Sequence, residues 1–226
     1  DSATNSTYSG GWSDGLNGGT GFSPWSLTVS GSAGHFIAES LGNLQVGAPK
    51  GFGLWANGGG VSTARRDFDT ALEPGDTVSI RFDNNFIDNA RAVGFGLTDT
   101  ANSNRFAFYF VGGEQRYRIS DSVAARDSGI PYTNLGLLVT FELLASNQYR
   151  FATGTNVIQG SLGIGGPIAR LVVTNFSAGS GTDFNLYVGE ITRTATVTNL
   201  TVTNVAAAAV VRLDNPDTDG DGLPDA

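Results

Sequence analysis

Residues 105–111 read Arg-Phe-Ala-Phe-Tyr-Phe-Val and place three phenylalanines at every second position. Successive side chains of a β-strand point to opposite faces of the sheet, so the three rings share one face of an extended chain. The Gly112-Gly113 pair that follows is typical of a hairpin turn and predicts a partner strand over residues 115–120. This stretch therefore predicts a half-buried antiparallel hairpin built on aromatic side chains.

The same alternation recurs along the chain, most clearly over residues 77–83, where Val78, Ile80 and Phe82 face one way. Residues 135–144 are apolar on both faces, which predicts a central strand. Further strands are predicted over residues 26–30, 35–41, 52–56, 92–98, 148–152, 168–174, 184–192 and 194–203. Short strands about 8–12 residues apart, with no apolar run at helical spacing, predict an all-β chain: a jelly-roll-like antiparallel β-sandwich with an extended C-terminal tail.

The composition restricts the partners of the chain. Its 226 residues carry 13 basic and 21 acidic side chains, for a formal net charge of −8. Nucleic-acid binding depends on clustered Lys and Arg, so this balance argues against a nucleic-acid partner. Cysteine and methionine are absent, which excludes disulfides and thiol nucleophiles. The chain starts at Asp1 and has no apolar run that could span a bilayer, so we expect a secreted protein without a transmembrane segment, extracellular or at the cell surface.

The sequence divides into a predicted sandwich domain, residues 1–203, and a segment of different composition, residues 204–226. The second segment begins with a small, apolar run, Val-Ala-Ala-Ala-Ala-Val-Val-Arg-Leu, at residues 205–213. One interpretation is a last core strand or a short linker helix, because apolar runs of this length fit both. The other is a strand that completes the sheet of a neighbouring subunit, with Val205, Val210, Val211 and Leu213 as the exchanged side chains.

The segment ends in the run Asp-Thr-Asp-Gly-Asp-Gly-Leu-Pro-Asp at residues 217–225. Carboxylates at relative positions 1, 3 and 5 with glycine at 6 can converge on one hard cation, and calcium is the natural occupant. These nine residues resemble a thrombospondin type 3 repeat or the first part of an EF-hand loop. The resemblance implies that Asp217, Asp219, Asp221 and Asp225 supply side-chain oxygens. An EF-hand-like loop needs a bidentate carboxylate at position 12, which these residues do not supply. Either the loop binds weakly, or oxygens from elsewhere on this chain or from a neighbouring chain complete the shell. The alternative interpretation is an acidic, flexible tail.

Three further sets of residues are candidates for a site. Asp83 and Asp88 flank an Asn-rich stretch that could hold a second cation, although such turns usually bond their own backbone. Trp12, Trp25 and Trp55, like Tyr109, Tyr117 and Tyr132, could stack on sugars, with core packing as the alternative for each ring. His35 is the only histidine and lies in a strand-like segment, and cysteine is absent. The common pairs of a nucleophile with a catalytic base are therefore almost all excluded, and we expect no enzyme.

Two functions fit these features. The first is an extracellular, non-catalytic structural protein: a self-assembling subunit of a filament, tube or matrix, which binds copies of itself and is stabilised by calcium and by strand exchange. The second is a carbohydrate-binding, lectin-like module of a secreted bacterial protein, with polysaccharide as its partner. Residues 19–192, with Gly-Phe-Ser-Pro-Trp at 21–25 and Phe-Tyr-Phe-Val-Gly-Gly at 108–113, resemble bacterial lectin-like sandwich modules joined to secreted glycosidases.

Overall fold

The computed structural model describes residues 1–39 and 44–196. Across these residues the secondary structure consists of twelve β-strands and three short 3-10 turns. The strands are β1 (Ser26–Glu39), β2 (Lys50–Asp67), β3 (Thr77–Asn84), β4 (Ala92–Thr98), β5 (Asn104–Val111), β6 (Arg116–Asp121), β7 (Ala124–Pro131), β8 (Leu137–Leu143), β9 (Gln148–Thr153), β10 (Asn156–Ser161), β11 (Arg170–Phe176) and β12 (Leu186–Thr194). No helix in the described ranges is long and apolar enough to cross a membrane.

The strands form one continuous antiparallel ladder in the order β10-β9-β8-β3-β12-β2-β11-β4-β5-β6-β7, and β1 pairs with β2. The ladder folds over so that strands from its two halves face each other across the core. Phe82 of β3 contacts Phe108 of β5 with ring centroids 5.9 Å apart, and Phe106 of β5 contacts Phe141 of β8 at 5.2 Å. The domain is therefore a jelly-roll-like β-sandwich, as predicted. Its first layer contains β12, β3, β8, β9 and β10, and its second contains β11, β4, β5, β6 and β7.

The long strand β2 belongs to both layers. Its first half pairs with β12 at residues 52–54, and its second half pairs with β11 at residues 61–67. The chain turns between the layers where the register of β1 with β2 shifts, beside Gly31, Gly58 and Gly59. All three glycines have positive φ, a conformation that side-chain-bearing residues rarely adopt, and bulges at glycine are a common way to bend a sheet at a corner.

The observed strands confirm most of the sequence pattern. The predicted strand over 92–98 coincides with β4, and the hairpin at Gly112-Gly113 joins β5 to β6, with Phe108 opposite Ile119. Residues 26–30 and 35–41 were predicted as two strands, but 26–39 form the single strand β1. Strands β7 and β10 were not predicted, because β7 exposes most of its side chains, β10 buries none of its own, and neither has an apolar face.

The predicted strand over 135–144 needs a correction. It occupies a central place between β3 and β9 as β8, but only its inner face is covered. Leu138 on the outer face is 46% exposed, and Leu135 precedes the strand with 73% exposure. In an antiparallel sheet a central strand can have one face packed on the core and the other exposed to solvent, so its outer residues need not be buried.

The N-terminal residues 1–25 close the sandwich beside the second half of β2. Arg66 points inward from β2, is fully buried and donates to the Asp1 carboxylate at 2.5 Å. Its guanidinium lies between the rings of Phe22 and Trp25, 4.8 and 4.9 Å from their centroids. Arg66 also donates to the carbonyl oxygen of Ser23 at 2.9 Å. The buried side chain of Arg66 therefore binds several residues of the N-terminal segment to β2.

Residues 197–226 lie outside the described residues, as do residues 40–43. The predicted strand over 194–203 is therefore described only at its first residues, where β12 ends at Thr194. The predictions for the rest of the C-terminal segment stay predictions; they concern the exchange strand (Val205, Val210, Val211, Leu213) and the calcium ligands (Asp217, Asp219, Asp221, Asp225).

Candidate functional site

A shallow groove of about 260 Å³ runs over the outer face of the second layer, across strands β11, β4 and β5. Its lining is mostly apolar and includes Tyr109, Phe176 and Val172, with Asn104 and Thr98 at one end. These side chains project away from the core, because their neighbours along each strand are the buried core residues. The groove is thus a concavity on a sheet face that the hydrophobic core does not use.

Strand register explains why a groove forms here. Thr174, Gly94 and Tyr109 lie side by side on β11, β4 and β5. In the next row of the same face, Val172, Gly96 and Ala107 are neighbours. In both rows the middle strand, β4, therefore has a glycine without a side chain, whereas β11 and β5 on either side of it have side chains that project from the sheet. The glycines form the floor of the groove and the flanking side chains form its walls.

The two floor glycines differ in what they tolerate. A Cβ at Gly94 would overlap the carbonyl oxygen of Phe108 and the Cβ of Tyr109, so this position requires glycine. A Cβ at Gly96 would meet its nearest atom, the Oδ1 of Asn104, at 3.5 Å, an ordinary contact distance. Gly96 can therefore accept a Cβ atom at ordinary contact distances, without displacing the backbone.

The walls combine aromatic rings with hydrogen-bonding groups. Phe176 is 43% exposed at one end, and Tyr109 is half-buried on the β5 wall. At the other end Asn104 is exposed, and the hydroxyl of Thr98 is buried without a hydrogen-bond partner among the described residues. Aromatic rings with a few polar groups in a shallow cleft are the usual lining of a small-molecule or sugar site.

Arginines surround this groove. The guanidinium of Arg91 lies 5.9 Å from the ring centroid of Phe176, within cation–π range. Arg118 is the cross-strand neighbour of Tyr109 and pairs with Glu114 at 2.7 Å. On the other side, Arg65 of β2 is the neighbour of Val172. The groove therefore has positive side chains at three of its edges.

Comparisons with solved structures give a likeness of fold. A sialidase matches with a TM-score of 0.59 and 11% identity over 76% of this chain, which spans 17% of the sialidase's length. A toad ovary galectin in complex with N-acetylgalactose matches with a TM-score of 0.41 and 14% identity, over 56% of this chain and 94% of the galectin. An alginate lyase from Corynebacterium sp. matches with a TM-score of 0.44 and 11% identity, over 58% of this chain and 67% of the lyase. No protein-family model and no curated protein sequence matches the chain.

Two of the three tryptophans predicted to stack on sugars are core residues. Trp12 is 7% exposed and Trp25 is 2% exposed, and their ring centroids lie 5.0 Å apart in an edge-to-face contact. Trp25 also donates from Nε1 to the hydroxyl of Tyr8 at 3.1 Å. Both rings also pack against Phe52 of β2, with centroids 4.8 and 5.2 Å away, so the structure assigns Trp12 and Trp25 to core packing, the alternative given for each ring.

Trp55 occupies a different environment. It is half-buried on the outer side of β2, where its indole lies against Gly34 of β1. Phe36 lies against Gly53 in the reciprocal arrangement on the same two strands. A ring packed over a cross-strand glycine protects an exposed backbone. The stacking prediction for Trp55 remains open, at a position outside the groove.

Asp83 and Asp88, the residues of the predicted second cation loop, differ in burial. Asp83 is fully buried beside Tyr187, and its Oδ2 accepts from the backbone N–H of Gln45 at 2.9 Å. Burial raises the pKa of the Asp83 carboxyl to about 6. Asp88 is exposed, and residues 1–39 and 44–196 contain no group of three His, Cys, Asp or Glu side chains placed to hold a metal. The predicted second cation loop at Asp83 and Asp88 thus has no support in the structure.

His35 is anchored to the backbone of the sheet. Its Nε2 lies 3.1 Å from the carbonyl oxygen of Thr63 and 3.0 Å from the hydroxyl of Ser62. Burial lowers the pKa of the imidazole, so the neutral form is favoured. These contacts explain the position of the only histidine by packing and hydrogen bonding.

The groove itself was only partly visible in the sequence. Tyr109 was among the aromatics considered for stacking, whereas Tyr117 is buried in the core. The signal that was missed is the Ala-Val-Gly-Phe-Gly-Leu-Thr pattern of β4. Glycine at two alternate positions of one strand indicates a face from which side chains have been removed, and such faces are where a ligand or another backbone approaches closely.

Proposed function

We propose that this protein is a non-catalytic carbohydrate-binding domain whose ligand lies in the groove across β11, β4 and β5. The observation that carries the proposal is the glycine floor of that groove, Gly94 and Gly96, between the rings of Tyr109 and Phe176. A sugar ring has an apolar face that packs on aromatic side chains and hydroxyls that pair with polar groups at the edge. The groove supplies both kinds of contact on a rigid sheet.

The fold supports the proposal without deciding it. A sandwich of this kind forms part of a sialidase, and fold alone does not fix function. A shallow, open groove suits one stretch of a long polymer, which can enter and leave at both ends. A domain that binds long polysaccharides meets them outside the cell, so we also propose an extracellular or cell-surface location.

The first test replaces the groove residues. Tyr109→Ala removes a wall, and Gly96→Val fills the floor with a residue that strands favour. Each variant is expected to weaken polysaccharide binding by about tenfold or more, since every ~1.4 kcal/mol of lost contact is tenfold in Kd. The measurement is affinity electrophoresis or calorimetry against soluble polysaccharides, with thermal unfolding to confirm that both variants fold.

Matched controls lie elsewhere on the surface. Phe86→Ala removes another exposed aromatic ring, 65% exposed and outside the groove. Gly10→Val adds the same side chain at a glycine with no neighbouring atom within 4 Å of its Cβ position. Binding should be unchanged in both controls. If all four variants bind equally well, the groove is not the site.

The calcium prediction from the sequence has a separate test. Calorimetric titration of the full chain with calcium is expected to show one site that is lost on Asp219→Ala or Asp221→Ala, because each removes a carboxylate from the predicted shell. Asp214→Ala, just outside the motif, serves as the control. Titrations that are identical for all of these variants would contradict the prediction.

A further inference from the structure

We propose that the groove selects polysaccharides that carry carboxylate groups, such as polyuronates, over neutral chains of the same length. This inference rests on the proposed function, because it names the ligand class of the same groove. It comes from the charge arrangement of the outer face of the second layer, which differs in sign from the chain as a whole.

The outer face is basic although the chain has a net charge of −8. Along the ladder β2-β11-β4-β5-β6-β7, the strand positions that point to this face carry four arginines and two carboxylates. They are Arg65, Arg116, Arg118, Arg170, Asp67 and Asp127. The turns beside the face add Arg91 and the carboxylates Asp88, Asp99 and Glu114. An excess of positive charge confined to one face attracts anionic ligands and raises their rate of association.

Ion pairing identifies which arginines are available. Three of the carboxylates have an arginine partner: Arg170 pairs with Asp67 at 2.5 Å, Arg118 with Glu114 at 2.7 Å and Arg116 with Asp127 at 3.5 Å. Arg65 and Arg91 make no ion pair with any described residue. Arg65 also acts electrostatically on Asp67, whose pKa it helps to lower, but that carboxylate is held by Arg170. Arg65 and Arg91 are therefore the arginines of the face that no carboxylate holds in a direct contact.

Arg65 and Arg91 also lie at different edges of the groove. Arg65 stands in the row of Val172 and Gly96, while Arg91 directly precedes Ala92 and reaches over Phe176. Four residues of a strand span about 13 Å, and two strand spacings add about 9–10 Å across the sheet. A single sugar unit does not reach from one edge to the other. Two separated guanidinium groups, each able to form a forked contact with a carboxylate, therefore fit an acidic oligomer or polymer.

The experiment compares one polymer with and without its charge. Binding is measured to polygalacturonate and alginate, to the same polymers after chemical reduction of their carboxylates to primary alcohols, and to polyglutamate as a polyanion without sugar rings. We expect binding to the acidic polysaccharides that weakens as salt is raised, because exposed charges are screened. The reduced polymers should bind at least about tenfold more weakly, and polyglutamate likewise.

The variants separate charge from shape. Arg65→Gln combined with Arg91→Gln should weaken binding of the acidic polymers by about tenfold and leave binding of the reduced polymers unchanged. Tyr109→Ala should weaken binding of both. The control is Arg81→Gln with Arg150→Gln, which removes the same charge from the outer face of the other layer.

Each alternative result has a defined meaning. Equal binding of the native and reduced polymers would overturn the inference and leave the carbohydrate-binding proposal intact. Equal binding of polyglutamate and the acidic polysaccharides would show a general polyanion surface and would also overturn it. Binding to none of the sugar polymers, acidic or neutral, would sink the proposed function together with the inference.

Discussion

Replacing Arg66 with alanine is expected to lower the free energy of unfolding by about 3–5 kcal/mol, the usual result of removing one partner of a buried ion pair. The carboxylate of Asp1 would remain buried, and its Oδ2 would keep only the hydroxyl of Tyr8 at 2.6 Å and the indole N–H of Trp25 at 3.2 Å. The stacked contacts of the guanidinium with two rings would be lost as well. For a domain of this size we expect the Tm to fall by roughly 10 °C.

Arg65 provides a control of the same residue type at the adjacent position. Its side chain points to the outer face and makes no ion pair with the described residues, so Arg65→Ala should change the free energy of unfolding by less than about 0.5 kcal/mol. The measurement is thermal and urea unfolding followed by circular dichroism. Equal stability of Arg66→Ala and Arg65→Ala would show that the N-terminal segment does not depend on this contact.

Replacing Asp83 with asparagine is expected to raise the free energy of unfolding at pH 7–8 by roughly 2–3 kcal/mol. Burial raises the pKa of Asp83 from 3.8 to about 6, so at neutral pH the folded state must hold a buried carboxylate. Within the described chain its second oxygen has no hydrogen-bond partner, and its ring neighbour Tyr187 offers no positive charge. Asparagine has nearly the same shape, can still accept from Gln45 and carries no charge.

The pH dependence follows from the direction of the shift. The folded state binds the Asp83 proton more tightly than the unfolded state, so this group stabilises the fold below about pH 4 and the contribution is lost as the pH rises through 6. Stability curves of the wild type and Asp83→Asn should therefore meet near pH 4 and diverge up to about pH 7. Asp88→Asn, at an exposed position five residues further on, should show no such divergence. Parallel curves for Asp83→Asn and wild type would contradict the assigned burial.

Most of the fold could be predicted, because the alternation of apolar and polar residues along a strand directly indicates which face is buried. Strand β4 and the β5–β6 hairpin follow from apolar residues at every second position, which only a sheet with one covered face explains. Strands β7 and β10 lie at the ends of the ladder and are held by backbone pairing, so their side chains carry little signal. The joining of both layers through β2 depends on pairings between distant parts of the chain, and local sequence does not encode them.

The site was less readable for a related reason. Arg65 and Arg66 are adjacent in sequence, yet one faces solvent beside the groove and the other is buried against Asp1. Alternation predicts opposite faces but cannot say which face holds a core. Trp12 and Trp25 were ambiguous because an aromatic ring serves a core or a ligand equally well, and only the packing around it decides.

Because β2 belongs to both layers of the sandwich, its pairing affects when the chain can fold. Both of its inner partners, β11 and β12, come from the last part of the domain, more than a hundred residues after β2 ends at Asp67. At about 5–20 residues per second, the ribosome would deliver them roughly 5–25 s after β2. Until then neither layer can close around its core. Once complete, a topology dominated by such distant pairings is expected to fold in milliseconds to seconds, in one late and cooperative step.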